Sequence, residues 1–233
     1  SLDYFESIYK RLGTKFDTYY FESVMGPIGV DIVKKNLGKV FKVSNEAVIF
    51  PGEDYGLHNR VFINSLGLPT YEAKELGLAP TKFEDFAYDL SIIITGNEVI
   101  EYFKVLLKAL SLLSPQLAQK TNHIPHGMVR LPSGKMSSRS GNVITASDLL
   151  DEVFAKIFKN YPEMTKDSLE IVTVGAVKYA LLKNNIGGDV VFNLDESISL
   201  SGNSGPYVQY AGARIQSILS KLKTQKSKIK ITM

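Results

Sequence analysis

The stretch that decides the fold lies in the middle of the chain and reads Gly134-Lys135-Met136-Ser137-Ser138-Arg139-Ser140-Gly141-Asn142. Lys135 and Arg139 can neutralise phosphate oxygens, and the serine hydroxyls can donate hydrogen bonds to them. An apolar run with strand character, 124–131, precedes the stretch, and a helix-capping pattern, Thr145-Ala146-Ser147-Asp148, follows it. In open α/β sheets, nucleotide phosphates are often bound by the loop between a strand and the following helix. The stretch therefore predicts a mobile phosphate clamp. A solvated basic turn has the same composition.

Three segments carry a family resemblance, and they occur in the family's order. The segment 135–139, Lys-Met-Ser-Ser-Arg, resembles the second signature of class I aminoacyl-tRNA synthetases, usually written Lys-Met-Ser-Lys-Ser. The segment 68–75, Leu-Pro-Thr-Tyr-Glu-Ala-Lys-Glu, resembles the part of arginyl-tRNA synthetases that holds the amino acid. The segment 202–214, Gly-Asn-Ser-Gly-Pro-Tyr-Val-Gln-Tyr-Ala-Gly-Ala-Arg, is similar to the family's entry into its anticodon-binding region. The chain is therefore identified as a piece of an arginyl-tRNA synthetase.

The resemblance implies an α/β fold class with two parts. Residues 1–146 correspond to the C-terminal part of a Rossmann-like class I synthetase catalytic domain. Residues 147–233 correspond to a helical connector and the start of the anticodon-binding domain, an α-helical bundle. The residue pattern agrees, since strands are expected to cease past Thr145, where helices are predicted over 148–158, 168–182 and 207–222.

The first half of the chain has a mixed pattern of helices and strands. The periodicity predicts helices over 1–12 and 97–114, the second capped by Asn97, and hairpins over 40–50 and 61–71. The apolar run 90–94 is typical of a strand that is buried on both faces. Together with the helix over 97–114 and the strand over 124–131, it predicts a right-handed parallel crossover.

The resemblance assigns chemistry to the central loop. It implies a catalytic group formed by Lys135, Ser137, Ser138 and Arg139, in which Lys135 stabilises the charge that develops on pyrophosphate. It also implies that ATP is bound by His126, Gly127, Met128, Lys135 and Met136. Magnesium would share the charge on the phosphates, so the expected cofactors are ATP and Mg²⁺.

The amino-acid site is expected at Tyr71 and Glu75. If Tyr71 begins a helix, Glu75 lies one turn later on the same face, and a phenol and a carboxylate converge on one small volume. Such a pair suits a guanidinium, although a surface Glu beside a half-buried Tyr gives the same spacing. The family usually has Asp in place of Glu75, and its substrate-contacting Gln corresponds to Glu98 or Val99. Glu98 is therefore the third expected contact with arginine.

The tRNA contacts are expected around the start of the last helix, at Asn203, Tyr207, Gln209, Tyr210 and Arg214. This assignment is implied by the resemblance of the segment 202–214. Tyr207, Tyr210 and Arg214 also fall at helical spacing, so they could equally pack around a capped helix end.

Class I synthetases carry an early His-x-Gly-His motif that is absent from this chain. The closest pattern, His123-Ile124-Pro125-His126, lacks the glycine against which a nucleotide packs. We therefore interpret its two histidines as structural residues that do not replace the motif. We therefore expect the chain to carry only part of the site and to be inactive alone. No metal site is expected, since no cysteine or nearby carboxylate completes a ligand set with the histidines.

Composition fits an intracellular enzyme. The 233 residues include no cysteine, which excludes disulfides and thiolate chemistry, and the net charge is +3. Neither a bilayer-spanning apolar run nor a signal-peptide pattern is found, so a cytoplasmic location without membrane association is expected. The sequence does not indicate an oligomeric state, and a monomer is our working expectation.

The resulting hypothesis is ATP-dependent ligation of L-arginine to tRNA(Arg) through an arginyl-adenylate. The alternative is a non-catalytic tRNA- or RNA-binding module derived from a class I synthetase. A P-loop ATPase or kinase is disfavoured because the chain has no Gly-x-x-x-x-Gly-Lys-Ser/Thr motif.

Overall fold

Helices dominate the computed structural model, which describes residues 2–130, 132 and 145–229, with the backbone alone for 224–229. In this part of the chain the helices are α1 (Leu2–Leu12), α2 (Glu22–Lys35), α3 (Tyr71–Asp85), α4 (Ile100–Leu113), α5 (Pro115–Lys120), α6 (Ala146–Asn160), α7 (Lys166–Leu182), α8 (Leu194–Ser197) and α9 (Gly205–Ile229). Single 3₁₀ turns lie at Gly52–Tyr55 and Asn97–Val99. Residues 133–144, which include the predicted phosphate clamp, lie outside the described part.

The strands form three small sheets. They are β1 (Lys42–Ser44), β2 (Ala47–Phe50), β3 (Arg60–Ile63), β4 (Ser91–Gly96), β5 (Thr121–His126), β6 (Val129–Arg130) and β7 (Val190–Val191). The first three strands pair antiparallel in chain order, with an irregular register between Val48 and Ile49. The pairs β4–β5 and β6–β7 are parallel.

Two compact units are present, and each is described by itself. The central unit comprises residues 16–127, and the helical unit comprises the described residues of 1–15 and 128–233. This grouping differs from the predicted domains 1–146 and 147–233, because α1 joins the helical unit by contacts to α6 and α7. The Arg11 guanidinium bonds the carboxylates of Glu170 at 2.7 Å and Asp151 at 2.6 Å. The assignment of residues to catalytic and anticodon-binding domains stays a prediction.

The central unit is built around aromatic and aliphatic side chains from its three-stranded sheet and from α2, α3 and α4. Phe41, Phe50 and Phe62 are almost completely buried, and the ring centroids of Phe41 and Phe62 lie 4.9 Å apart. Asn45 and Glu46 adopt positive φ angles of 49° and 62°, as a two-residue hairpin turn requires. The hairpin predicted over 40–50 is confirmed.

Helix α2 approaches α3 closely through glycines. A Cβ atom added at Gly29 would lie 1.7 Å from the carbonyl oxygen of Ala73, and one at Gly77 would lie 2.3 Å from that of Met25. No side chain fits at either position, so backbone packing fixes the placement of α3. This matters for function because α3 begins at Tyr71.

The crossover prediction is confirmed in its parallel pairing, since β4 and β5 are joined through α4 and α5. Two details are wrong. Ile92 and Ile94 are 50% and 67% exposed, whereas Ile93 packs on the core, so β4 alternates between two unlike faces instead of being buried on both. Asn97 does not cap α4, which follows a 3₁₀ turn and receives no side-chain cap.

Other predicted strands are changed by tertiary pairing. The hairpin expected over 61–71 is confirmed in its turn, where an antiparallel bridge joins Ile63 to Pro69 and the backbone N–H of Thr70 donates to the carbonyl oxygen of Phe62 at 2.9 Å. It is shorter than predicted, because the second arm forms no full strand and the ladder of β3 is made with β2. The strand expected over 124–131 divides between β5 and β6, which belong to different sheets. The expectation that strands cease past Thr145 is also wrong, since Val190–Val191 pairs with β6.

The helical unit packs α6, α7 and α8 around a second apolar core that includes Leu150, Val153, Ile157 and Phe192. Thr145 and Asp148 form the predicted capping box at the start of α6, so a helix begins after the central loop as the sequence predicts. Helix α9 crosses α7 at a glycine contact, where a Cβ at Gly205 would lie 2.3 Å from the carbonyl oxygen of Gly175.

Candidate active site

The first turn of α3 brings Tyr71 and Glu75 together as the sequence predicts. The Tyr71 phenol and the Glu75 carboxylate lie close enough for each to shift the pKa of the other, and Tyr71 is 41% exposed while Glu75 is half-buried. Burial, reinforced by the Glu75 charge, raises the pKa of Tyr71 to about 12. The phenol is therefore protonated at neutral pH and can donate to the carboxylate.

Burial also raises the pKa of Glu75, whereas the Lys82 ammonium and the Tyr71 phenol lower it. These opposing effects are those expected for a carboxylate withdrawn from water next to one cation and one donor. A substrate cation would favour the ionised form further, so Glu75 is chemically suited to a guanidinium.

A second carboxylate lies beside this pair. Glu72 is only 7% exposed, and its Oε1 lies 3.8 Å from Nη1 of Arg60 on β3. The same guanidinium stands 5.8 Å from the ring centroid of Tyr102. A buried carboxylate without a cation would be strongly penalised, so Arg60 accounts for the presence of Glu72 in the core.

Tyr102, in the first turn of α4, connects the two helices. Its ring centroid lies 5.0 Å from that of Tyr71, and the residue is 5% exposed. Burial raises the pKa of Tyr102, with further contributions from Glu75, Glu72 and Tyr71. Within the described residues its hydroxyl has no hydrogen-bond partner. An unpaired buried hydroxyl is costly, which marks this point in the fold as unusual.

The carboxyl ends of β4 and β5 form an edge in the same unit. Gly96 and His126 are register partners there, and a Cβ added at Gly96 would lie 2.1 Å from Oε2 of Glu98. The Glu98 carboxylate therefore folds back over Gly96, and Glu98 and His126 are both exposed. Ligands of open α/β sheets bind at the carboxyl ends of strands, so this edge is a credible place for substrate.

The two histidines of β5 differ. The His123 ring stacks on Phe103 at a centroid distance of 3.9 Å, and its Nε2 lies 2.7 Å from Oγ1 of Thr95. Burial lowers the pKa of His123, which agrees with a packing role. His126 instead contacts its neighbour, with Nδ1 2.9 Å from the carbonyl oxygen of Gly127.

The remaining residues predicted to bind ATP are only partly described. Gly127 is buried, and Met128 is 48% exposed with its backbone N–H donating to Oδ1 of Asp189 at 2.8 Å. The predicted catalytic and phosphate-binding residues Lys135, Met136, Ser137, Ser138 and Arg139 lie outside the described residues.

The predicted tRNA residues separate into two groups in the helical unit. Tyr207 and Tyr210 are 44% and 49% exposed, and Nη1 of Arg214 donates to the Tyr210 hydroxyl at 2.8 Å. Gln209 instead donates from Nε2 to the carbonyl oxygen of Ile171 at 3.0 Å, and Asn203 accepts from the Tyr179 hydroxyl. Gln209 and Asn203 thus have structural contacts, and Tyr207, Tyr210 and Arg214 form an accessible surface.

Sequence reasoning missed three residues near the amino-acid site, namely Glu72, Lys82 and Tyr102. Lys82 lies seven residues after Glu75, which returns it to the same helical face, and that spacing was a signal that could have found it. Glu72 and Tyr102 gave no such signal, because their burial depends on β3 and on the contact between α3 and α4.

Metal-binding clusters and membrane-spanning helices are both absent from the described residues. No group of three or more His, Cys, Asp or Glu side chains in them is arranged to hold a metal ion. None of their helices combines the length and apolar character needed to cross a membrane.

Comparison with known sequences gives consistent results. The profile described as "tRNA synthetases class I (R), catalytic domain" matches residues 3–194. Over 233 aligned residues the chain is 38% identical to the arginine–tRNA ligase of Treponema denticola, and the alignment covers 96% of this chain and 40% of that protein. It is also 38% identical to the arginine–tRNA ligase of Borreliella burgdorferi, covering 92% of this chain and 39% of that protein. The chain thus spans about 40% of the length of these relatives.

Solved structures show the same fold. The arginyl-tRNA synthetase of Thermus thermophilus superposes with a TM-score of 0.74 at 21% identity, covering 93% of this chain and 44% of the other. The enzyme of Plasmodium falciparum gives a TM-score of 0.75 at 21% identity, covering 95% of this chain and 39% of the other. These structures confirm the predicted α/β class I synthetase fold with additional helices. Because the family profile spans most of its residues, the chain belongs to the class I tRNA synthetases of the arginine (R) family.

Proposed function

We propose that the protein to which this chain belongs ligates L-arginine to tRNA(Arg) through an arginyl-adenylate. The observation that carries the proposal is the pairing of Tyr71 and Glu75 in the first turn of α3, within a chain of the arginine family. A half-buried carboxylate with one phenol donor leaves acceptor capacity for a planar guanidinium, which matches carboxylate geometry with two parallel hydrogen bonds.

The arginine would enter beside the exposed Tyr71 and extend toward the carboxyl edge of β4 and β5. Glu75 would hold the guanidinium, and Glu98 at that edge would contribute a second carboxylate for a cationic group of the substrate. Binding the side chain at one end would position the α-carboxylate for reaction at the other.

Activation would consume ATP. An oxygen of the arginine carboxylate would attack the α-phosphorus, the bond to pyrophosphate would break, and arginyl-adenylate would form. The proposed catalytic residues are Lys135, Ser137, Ser138 and Arg139, which would neutralise the departing phosphates, with His126, Gly127, Met128 and Met136 against the nucleotide.

The described residues contain no carboxylate cluster suited to holding Mg²⁺ by themselves. Mg²⁺ is commonly bound through substrate phosphates, so we propose that it enters with ATP. When bound there, the ion would supply positive charge to the phosphates, and the protein's own cations would act alongside it.

The second half-reaction would transfer the arginyl group to a ribose hydroxyl at the end of the tRNA and release AMP. The exposed surface of Tyr207, Tyr210 and Arg214 would help to dock the RNA by stacking and by contact with phosphate. Asn203 and Gln209 would support that surface through their contacts with Tyr179 and Ile171. This role in protein synthesis points to the cytoplasm.

Arginine-dependent exchange of pyrophosphate into ATP by the full-length protein tests the proposal. Lys135→Ala should lower the rate of adenylate formation by about two orders of magnitude, as expected for losing one preorganised transition-state contact, and should change arginine affinity little. A slight loss of rate together with a collapse of arginine binding would place Lys135 in the amino-acid pocket.

A protein that binds tRNA(Arg) but forms no adenylate under any condition would support the alternative, a non-catalytic RNA-binding module. Exchange stimulated by another amino acid and not by arginine would contradict the assigned substrate.

A further inference from the structure

Glu75 and Lys82 both line a small cavity in the central unit. The cavity lies between α3, β4 and α4, and these two residues are the only charged side chains among its described lining. Most of the remaining lining is aliphatic, including Leu76, Ile93 and Leu106. An ammonium and a carboxylate that share an apolar cavity interact more strongly than they would in water.

Lys82 is held in place by contacts of its own. Its Nζ donates to the hydroxyl of the buried Ser91 at 2.6 Å and lies 5.6 Å from the ring centroid of Tyr88. Burial lowers the pKa of Lys82, and the Glu75 charge raises it. The ammonium is therefore held by Ser91 and Tyr88 beside the cavity that Glu75 also lines.

The other charged groups around Glu75 already have partners. Glu22 of α2 bonds Lys74 at 2.5 Å, and Glu72 is paired with Arg60 at 3.8 Å. The titratable and charged groups in contact with Tyr71, Glu75, Lys82 or their partners are Glu22 from α2, Arg60 from β3, Glu72 and Lys74 from α3, Tyr102 from α4, and Tyr88 beside the Lys82 ammonium. Lys82 is the cation that acts on Glu75 directly.

We propose that Lys82 is the resident counter-ion of Glu75, a positioning residue that keeps the carboxylate ionised and oriented for a cationic substrate. Among the described ion pairs none joins Glu75 to Lys82, so the ammonium acts across the cavity and leaves the carboxylate oxygens free. A direct salt bridge would occupy the oxygens that a guanidinium needs. The role assigned to the substrate rests on the proposed function.

The test is the pH dependence of arginine affinity in the full-length protein, measured by calorimetry for the parent and for Lys82→Met. Arginine affinity falls as pH falls through the pKa of Glu75, because the protonated carboxyl no longer attracts a cation. Removing Lys82 raises that pKa, so the pH at which half of the arginine affinity is lost should move upward by about one pH unit. At pH values below that midpoint, arginine affinity should be roughly tenfold weaker than in the parent.

Lys120→Met is the matched control. Lys120 is also a half-buried lysine of the central unit; its Nζ donates to the carbonyl oxygen of Tyr88 at 2.8 Å and lies 4.9 Å from the ring centroid of Phe83. It is not among the groups that act on Glu75. Its replacement should leave the pH midpoint unchanged, and Lys82→Arg, which retains the charge, should restore the parental profile.

A second readout does not depend on arginine. The side-chain carboxyl carbon of Glu75, followed by NMR in the protein without ligand, should titrate at higher pH in Lys82→Met than in the parent. An unchanged titration together with an unchanged affinity profile would overturn the proposal. If the parent binds no arginine, the proposed function fails, and the NMR titration alone still decides whether Lys82 is the counter-ion.

Discussion

Tyr71 at the start of α3 and Tyr207 and Tyr210 near the start of α9 are exposed tyrosines that are predicted to contact substrates. The charged groups around them differ. Tyr71 lies against partly buried carboxylates that have partners inside the fold, as in the pairing of Glu72 with Arg60. Tyr207 and Tyr210 are each about half exposed, and the cation predicted to act with them, Arg214, donates to the Tyr210 hydroxyl. Substitutions in α3 should therefore change pH dependence and stability as well as binding, whereas those at Tyr207 and Arg214 of α9 should change binding alone.

The packing of α3 gives the largest expected effect. Gly29→Ala would place a methyl group 1.7 Å from the Ala73 carbonyl, so we expect it to destabilise the chain by about 3 kcal/mol or to prevent folding. Gly212→Ala in α9, where nothing lies within 4 Å of the added atom, should stabilise the chain by about 0.5–1 kcal/mol. Urea denaturation of both variants measures the difference.

A Gly29→Ala variant as stable as the parent would mean that α3 is not locked by α2. The difference in packing between α3 and α9 would then not account for their different sensitivity to substitution.

The surface of α9 gives a smaller effect, and only on RNA. Tyr207→Ala should weaken tRNA binding by about 1–3 kcal/mol, the range for loss of one stacking contact, with unfolding free energy unchanged within about 0.5 kcal/mol. Arg214→Ala should reduce the slope of log affinity against log salt by about one. Fluorescence anisotropy with tRNA(Arg) at several salt concentrations measures both.

Gln209→Ala is the control from the same helix. It removes the hydrogen bond to Ile171, so it should cost about 1 kcal/mol of stability and leave the salt slope unchanged. If Gln209→Ala weakens tRNA binding without loss of stability, the division of this segment into structural and accessible residues is wrong.

Local sequence signals predicted part of this fold correctly. The turn at Asn45 and Glu46, the capping box at Thr145 and the parallel crossover were all readable, because each depends on a few neighbouring residues or on helical periodicity. The pairing of β6 with β7 was not, since two-residue strands far apart in sequence have no period to detect.

The amino-acid site shows the same division. The spacing of Tyr71 and Glu75 on one helical face was sufficient to predict their contact. The burial of Glu72, and of a Tyr102 hydroxyl that finds no partner among the described residues, depends on how β3, α3 and α4 pack, which no single segment encodes.

The most direct test of the account is the arginine specificity of Glu75→Gln in the full-length protein. The change keeps the shape of the side chain and removes its charge, so arginine affinity should fall by about 1.5–3 kcal/mol while ATP binding is retained. Titration with arginine and citrulline should show a clear preference of the parent for arginine and the loss of most of that margin in the variant. If Glu75→Gln discriminates between arginine and citrulline as well as the parent does, Glu75 does not hold the guanidinium and the account is contradicted.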